Sequence, residues 1–593
     1  MDFLGLRNLT VIRDAENYIK NAVPDFEITK IPLDDKAVYE MISQGYTSGV
    51  FQFESAGMRQ VLMRLKPESI EDLIAVLSLY RPGPMDSIPR YIECRHNPEK
   101  VTYKHPILKD ILNVTYGCIV YQEQVMEICR KMAGYSYGRA DLVRRAMAKK
   151  KADVMLKERS VFVDGALKNG VEENVANDIF DEMVSFASYA FNKSHAAAYA
   201  YISYQTAYLK CHYYKEYMAA LMTASLENTG KILEYTEECA KHGITILPPD
   251  INESGTGFVP TVNGIRFALL AVKNLGINSI RDMIAEREFD GKFLSLEDFC
   301  KRMNGKDINQ RAIESLIKCG AFDCFGHNRR EMIENYDRIF SSIQVYSSQN
   351  MEGQINFFEL DSDEGSTPSV TIQKFEEYPL AEKLELEKEI LGIYISGHPL
   401  ESYGIYRKLL RTTTAIQITD DEHKIKDNCS VSMFCILQSI KLYTQKNGAQ
   451  MAFVTFEDTS GEIEGLIFAD ILAGNRDIIQ KGKKVFLIAK ISYKDDAAKL
   501  IIEQIFDADS YIRHIEEMSL YVKCCSYEKD KIHQILDICT ENTGKSRLVL
   551  YFQDINKIVS PKIISGVMVN EKLYNSISAI TGSENIALKQ QNA

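Results

Sequence analysis

The sequence predicts a multidomain chain, mainly α over its first 345 residues, then a small β-barrel and a small α/β domain at its end. Three observations predict this. Apolar residues recur at spacings of three and four through the first part, strict alternation appears between about 429 and 506, and a polar stretch separates the two regimes. At 593 residues the chain exceeds one core, and roughly 150 residues per domain implies about four modules.

In order along the chain, residues 1–33 lead into the largest helical module, 34–225, which is broken by turn punctuation such as Arg81-Pro-Gly-Pro84. A second helical module spans 226–345, with a short β-like stretch from Gly264 to Leu270, and ends after Arg329-Arg-Glu-Met-Ile-Glu. Residues 346–378 are rich in Ser, Gln, Asp, Glu and Gly and read as a linker. A helical connector, Leu380 to Ile395, completes a 346–428 segment. Five short alternating runs, Val431–Ile440, Met451–Glu457, Ile463–Phe468, Val485–Ile491 and Leu500–Phe506, predict a small barrel over 429–510. The tail, 511–593, mixes helical (Lys529–Cys539) and strand-like (Leu548–Phe552) pieces into a small α/β domain.

Net charge is −12 and the pI near 5.5, so a nucleic-acid surface must be local rather than global. Thirteen cysteines lack any CxxC pair or zinc spacing, which predicts reduced thiols in a cytoplasmic protein. The start, Met1-Asp-Phe-Leu-Gly-Leu6, has no basic n-region and no long apolar h-region, so secretion is not expected, and no run of about 18 apolar residues predicts a membrane span.

The densest basic patch runs from Arg139 to Arg159, with eight cations against three carboxylates. Arg145 and Lys149, four apart, share one helix face and suit charge-assisted hydrogen bonds to phosphate; a solvated helix face competes with that reading. In Phe191-Asn-Lys-Ser-His195, Ser194 is expected to cap a helix whose amides face an anion flanked by Lys193 and His195, against an ordinary capped helix. Arg81 suits a phosphate or template contact, with a salt bridge as the default. Two-metal phosphoryl transfer needs clustered carboxylates, and the paired candidates, Asp361-Ser-Asp363 and Asp507-Ala-Asp509, sit in the linker and at the barrel's end. Nucleophile triads and glycine-rich phosphate loops are absent.

Six ordered motifs, Met1-Asp-Phe-Leu-Gly-Leu6, Gly49-Val-Phe-Gln-Phe-Glu-Ser55, Leu79-Tyr-Arg-Pro-Gly-Pro84, Tyr121-Gln-Glu-Gln-Val125, Arg144-Arg-Ala-Met-Ala-Lys-Lys-Lys151 and Phe191-Asn-Lys-Ser-His195, closely resemble the bacterial DNA polymerase III alpha subunit family of C-family replicative polymerases. Pro248-Pro-Asp-Ile251, Gly320-Ala-Phe-Asp323 and Ser396-Gly-His-Pro-Leu400 extend the resemblance across nearly the whole chain, in the order of the form without a built-in proofreading exonuclease. The resemblance implies a palm remnant (1–33), fingers (34–225), a clamp-binding domain with a helix-hairpin-helix (226–345), a linker with a clamp-binding peptide (346–428), an OB-fold (429–510) and a C-terminal domain that engages the clamp-loader tau subunit (511–593).

It implies residue roles as well. Asp2 becomes a palm ligand of catalytic Mg²⁺, its Asp-x-Asp partners lying in an upstream segment. Arg144 and Arg145 face the dNTP triphosphate with Lys193 and His195 near it, while Lys149, Lys150 and Lys151 serve the same pocket or the template strand of the primer-template DNA. The hairpin Val272-Lys-Asn-Leu-Gly-Ile277 brings Lys273, Asn274 and Gly276 to DNA, with Asn274 standing where the family's first hairpin glycine stands. Gln354-Ile-Asn-Phe-Phe358 resembles the peptide that docks in the sliding clamp (beta), through Gln354, Ile355, Phe357 and Phe358. On the OB-fold, Lys441, Tyr443, Lys446 and Phe453 are candidates for single-stranded DNA, against a purely structural barrel.

The function expected is template-directed nucleotidyl transfer from dNTPs to a primer 3′ end by two-metal catalysis, with this chain inactive alone for want of the upstream palm pair. The alternative is a non-catalytic module that binds DNA, clamp and clamp loader.

Overall fold

The computed structural model describes residues 5–81, 84–148, 152–187, 191–350, 372–419, 425–444, 448–494, 497–515 and 518–589. Among them no helix is long and apolar enough to cross a membrane. All thirteen cysteines are free and most are buried.

The first helical module has two lobes. In the first, helices Lys36–Ser43, Ala56–Leu65 and Ile70–Leu79 begin at Asp35, Ser55 and Ser69, whose side chains accept hydrogen bonds from amides two or three residues on. Ile70–Leu79 is buried from Asp72 onward, and Lys193–His212 lies along it; the buried Ala196, Ala200 and Ala207 are small enough to let the helices approach closely. The second lobe packs Gln122–Ala133, Tyr137–Ala148, Ala152–Lys168 and Glu173–Ala187 around Ile128, Phe162, Phe180 and Met183. Gly165 is required there: a Cβ at that position would stand 2.4 Å from the Ala133 carbonyl oxygen.

Helix Arg7–Lys20 packs on Tyr214–Ala224, and their shared core continues into helices Ile277–Phe289, Leu296–Arg302 and Gln310–Lys318. A small sheet, order β1-β3-β2, flanks this core: β1 (Ile246–Leu247), β2 (Val259–Thr261) and β3 (Gly264–Arg266). The Arg329-Arg-Glu-Met-Ile-Glu run opens a helix that continues to Asn350, past the boundary expected at 345. The first described residues after 371 are also not a free linker. Asn335 exchanges two 2.9 Å hydrogen bonds with the Gln373 backbone, and Asn328 donates to the Phe375 carbonyl at 2.8 Å. Polar side chains, rather than an apolar face, hold that extended segment, so apolar content did not reveal it. Beyond it, helix Leu380–Leu391 is fixed by the buried Glu387, which meets the buried Arg329 guanidinium at 2.8 Å.

The alternating runs close into a barrel of order β4-β5-β6-β8-β7: β4 (Ser430–Thr444), β5 (Gln450–Glu457), β6 (Glu462–Ile467), β7 (Lys484–Lys494) and β8 (Ala497–Asp507). Every pairing is antiparallel except β6 with β8, and β4 pairs back with β7, which is the Greek-key closure of an OB-fold. At the parallel junction, a Cβ on Gly465 would lie 2.6 Å from the Phe456 ring, so only glycine admits it. The tail is the expected α/β domain: a four-stranded sheet, β11-β10-β9-β12, built from β9 (Ser519–Cys524), β10 (Thr543–Phe552), β11 (Lys557–Val559) and β12 (Ile586–Lys589). Helices Lys529–Glu541 and Glu571–Thr581 fill one face of it.

Candidate nucleotide and DNA-binding sites

The fingers motifs, distant in sequence, meet at one pinned loop. Buried Gln124 accepts the Val120 and Tyr121 amides at 2.8 and 2.9 Å and donates to Thr115 at 2.8 Å, which fixes the chain ahead of helix Gln122–Ala133. That loop bridges to Phe191, whose carbonyl accepts the Gln122 amide at 2.9 Å. Tyr121-Gln-Glu-Gln-Val125 is thereby docked against Phe191-Asn-Lys-Ser-His195.

Three of the predicted cations gather around this junction. Arg144 donates to Asp141 at 2.7 and 2.9 Å and to the Gln122 side chain at 2.8 Å. Arg145, 63% exposed, pairs with the same carboxylate at 2.8 Å, and the Arg144 hydrogen bond, with the charge of both arginines, holds the Asp141 carboxyl below its usual range despite some desolvation. Lys193 pairs with Glu71 at 3.0 Å, its ammonium 5.2 Å from the centre of the Tyr121 ring. Each cation is thus held by a solvent-reachable carboxylate. Such pairs contribute little to stability, so an incoming polyanion can take the carboxylate's place at small cost.

The start of helix Lys193–His212 differs from expectation. Asn192, not Ser194, is the cap: its Oδ1 accepts the His195 amide at 2.9 Å. The Lys193 amide is already bonded to the Glu123 carboxylate at 3.1 and 3.2 Å, so the anion facing this helix start is Glu123 itself. Asn192 precedes Ser194 by two residues and is an equally good cap, which local sequence could not decide. Lys193 and His195 can therefore meet a phosphate through their side chains, not through free amides. The His195 ring stands between Phe191 and Tyr199, with centroids at 5.3 and 4.4 Å.

Arg81 stacks over the Phe191 ring at 3.6 Å and, among the described residues, forms no salt bridge; burial pulls its guanidinium below its usual pKa. Arg81 and His195 both line a cavity of about 500 Å³ with Asn8, Glu54 and Tyr199. Nothing near Arg81 in sequence announces Phe191.

In the hairpin, Asn274 takes φ of +63°, the left-handed conformation that the family's glycine would supply, and its side-chain amide donates to Ser315 at 3.0 Å. Gly276 precedes helix Ile277–Phe289 without any side-chain cap, and residues 276–278 are exposed at that helix start. Lys273 is exposed, and its ammonium donates to the Glu389 carbonyl at the end of helix Leu380–Leu391.

On the barrel, Lys441, Tyr443 and Phe453 line one groove of about 630 Å³, the two rings edge-to-face at 6.2 Å. Tyr443 is 53% and Phe453 47% exposed, high for aromatic side chains on a barrel. Phe468 and Lys499, not singled out from the sequence, line the same groove, with Lys499 paired to Glu464 at 3.1 Å. Strand parity points to Phe468, since Ile463 and Ile467 are buried and the alternate positions face out.

Asp2, Lys149, Lys150, Lys151, Lys446 and the peptide residues Gln354, Ile355, Phe357 and Phe358 lie outside the described residues, as do Asp361 and Asp363. Among the described residues no three His, Cys, Asp or Glu side chains group as metal ligands. Asp507 and Asp509 have structural partners: Asp507 accepts the Ser510 amide at 2.9 Å and Asp509 the Tyr403 hydroxyl at 2.5 Å.

Residues 8–170 match the family model of the bacterial DNA polymerase III alpha subunit finger domain, and residues 243–332 match a helix-hairpin-helix motif. The chain is 38% identical to DNA polymerase III subunit alpha of Borreliella burgdorferi over 95% of its own length and 50% of that protein's. With the Bacillus subtilis protein of the same name it shares 36% identity over 100% of the chain and 52% of the relative, and with the Escherichia coli one 34% over 99% and 52%. The chain spans about half the length of the curated relatives it matches. With fingers motifs assembled at one loop, a hairpin domain and an OB-fold barrel following in that order, the chain belongs to the bacterial DNA polymerase III alpha subunit family.

Proposed function

We propose that this chain serves as the fingers, duplex-binding and single-strand-binding part of a replicative DNA polymerase large subunit, acting in template-directed transfer of a nucleotide from a dNTP to a primer 3′ end. The observation that carries the reading is the junction at Phe191, where Arg144, Arg81 and the pair Lys193 and His195 are brought together from three separate motifs by hydrogen bonds to the Tyr121 loop and by the stacking of Arg81 on Phe191. Arg144, Arg145 and Lys193 exchange their carboxylate partners for the triphosphate and orient it, which is the larger part of what a protein contributes to phosphoryl transfer.

Mg²⁺ belongs to the proposal through Asp2. The described residues supply no metal site, so the chemistry argued for them is binding and orientation alone. The hairpin at Asn274 and Gly276, with Lys273 beside it, holds the backbone of the primer-template duplex, and the Lys441, Tyr443 and Phe453 groove takes single-stranded DNA. Gln354 to Phe358 docks the sliding clamp, and the tail engages the clamp-loader tau subunit.

Photolabelling with an azido-dNTP tests the triphosphate site directly. The label is expected on peptides carrying Arg144–Arg145 or Lys193–His195, and an excess of unlabelled dNTP is expected to suppress it. Label placed elsewhere, or insensitive to competitor, removes the reading and leaves the non-catalytic replisome-binding module in its place.

A further inference from the structure

Helices Lys529–Glu541 and Glu571–Thr581 cover one face of the tail's sheet, where Ile535, Leu573 and Ile577 pack against Leu520, Val522 and Leu548. Strand side chains alternate, so the register fixes what the opposite face carries. Tyr521 lies between Ala587 and Val549, Lys523 beside Tyr551, and Ser519 between Lys589 and Arg547. Ile558 follows Tyr551 on the edge strand. Lys523, Arg547 and Lys589 are exposed and Tyr521 and Tyr551 are half-buried. The Lys589 ammonium sits 5.3 Å from the centre of the Tyr521 ring, and Arg411 joins Tyr521, Lys523, Tyr551 and Lys589 in lining a hollow of about 450 Å³, with Arg547 on the same face outside it.

Among the described residues, the strand positions named on this face include no carboxylate. The one acid in the hollow's lining is Glu584, beyond the strands, whose backbone carbonyl accepts from Arg411. In a chain of net charge −12 this is a local reversal of sign, and it is complementary to a polyanion. Two tyrosine rings among the cations narrow the polyanion further. A duplex keeps its base faces stacked on one another, whereas a single strand offers each base to an aromatic ring.

We propose that this open sheet face binds single-stranded nucleic acid, bases stacking on Tyr521 and Tyr551 while Lys523, Arg547 and Lys589 hold the phosphates. The site lies on a different domain from the barrel groove and gives the chain a second contact on an unpaired strand.

Photo-crosslinking with an oligothymidylate containing 5-iodouracil, mapped by peptide mass spectrometry, tests it. The experiment is run on the whole chain and on a Tyr443→Ala/Phe453→Ala chain with a disabled barrel groove. Crosslinks on the peptides holding Tyr521 and Tyr551 are expected in both, and Tyr521→Leu/Tyr551→Leu is expected to abolish them while Tyr521→Phe keeps them. In the barrel-disabled chain, Lys523→Glu/Lys589→Glu is expected to weaken oligonucleotide binding about tenfold or more and to lower the salt slope by about 2. Circular dichroism verifies that each variant folds. Crosslinks confined to the barrel, or affinity and salt slope unchanged by the charge reversal in a folded variant, overturn the proposal. So does a face that yields no crosslink and is protected from hydrogen exchange by a protein partner alone.

Discussion

Glu387→Ala removes the carboxylate that ties the helical connector to the hairpin domain. Its side chain is 1% exposed and faces the 2% exposed Arg329 at 2.8 Å, and it also accepts the Ser396 hydroxyl at 2.5 Å and the Ser396 amide at 3.0 Å. Removing one member of a buried pair costs about 3–5 kcal/mol, because the remaining charge loses compensation without regaining water. Arg329 keeps Asp323 at 2.8 Å and the Lys318 carbonyl at 3.2 Å, which puts the charge penalty near the lower end, about 3 kcal/mol. The two lost Ser396 hydrogen bonds add about 1 kcal/mol. A multidomain chain does not unfold in one step, so the assay is native-state hydrogen exchange resolved by peptide. Exchange over residues 380–400 is expected to accelerate by about 10²–10³-fold, with barrel peptides unchanged. Arg329→Leu/Glu387→Leu, which removes both charges, is expected to be far less damaging than Glu387→Ala. An acceleration below about threefold, or a double variant as damaging as the single, means that the buried Arg329–Glu387 pair does not hold the connector in place.

Other outcomes follow from the same structure. Tyr443→Ala and Phe453→Ala are each expected to weaken single-stranded oligonucleotide binding by about tenfold, measured by fluorescence anisotropy, since a stacked base contributes about 1–3 kcal/mol. Asn274→Gly is expected to leave duplex binding intact, whereas Asn274→Val, forced into φ of +63°, destabilises the hairpin by about 1–2 kcal/mol and weakens duplex binding. His398 accepts the Leu400 amide at 3.1 Å on Nδ1, its Nε2 is buried without a hydrogen bond, and burial, with Lys388, Arg407 and Lys484 adding to it, lowers its pKa to about 4. The folded state then binds fewer protons than the unfolded one, so the stability due to neutral His398 is full above about pH 6.5 and is lost as pH falls towards 4. The loss reaches about 2 kcal/mol at pH 5 relative to His398→Gln, read as hydrogen exchange of the surrounding segment. Glu237 runs the opposite way: burial raises its pKa to about 7, so wild type loses stability relative to Glu237→Gln as pH rises from about 4.5 to about 7 in the same assay, with little further change above that.

Local signals carried the fold a long way. Period-two alternation located all five barrel strands, because one face of each is in the core and the other is not. It did not reveal the closure, which depends on β4 pairing with β7 and on the absence of a side chain at Gly465. The candidate cations of the fingers were legible as types, but their grouping was not. Gln122 and Phe191 are 69 residues apart in sequence and meet only because Gln124 holds the intervening loop. The helix start at 193 was legible while its cap was not, since Asn192 and Ser194 offer the same chemistry and Glu123, which completes the cap, comes from another helix. Residues 372–379 looked like linker because side-chain amides, not apolar contacts, hold them in place.

The junction at Phe191 is proposed to hold the triphosphate of an incoming nucleotide. Single-nucleotide primer extension measures it, using a full-length subunit, of the length its relatives have, that contains this chain. Arg145→Ala and Lys193→Ala are each predicted to lower kcat/KM for dNTP by about 10- to 150-fold, the range expected for losing one charged hydrogen bond, without changing the affinity for primer-template. Full kcat/KM in both variants, or a loss traced entirely to weaker DNA binding, means that this junction does not hold the triphosphate.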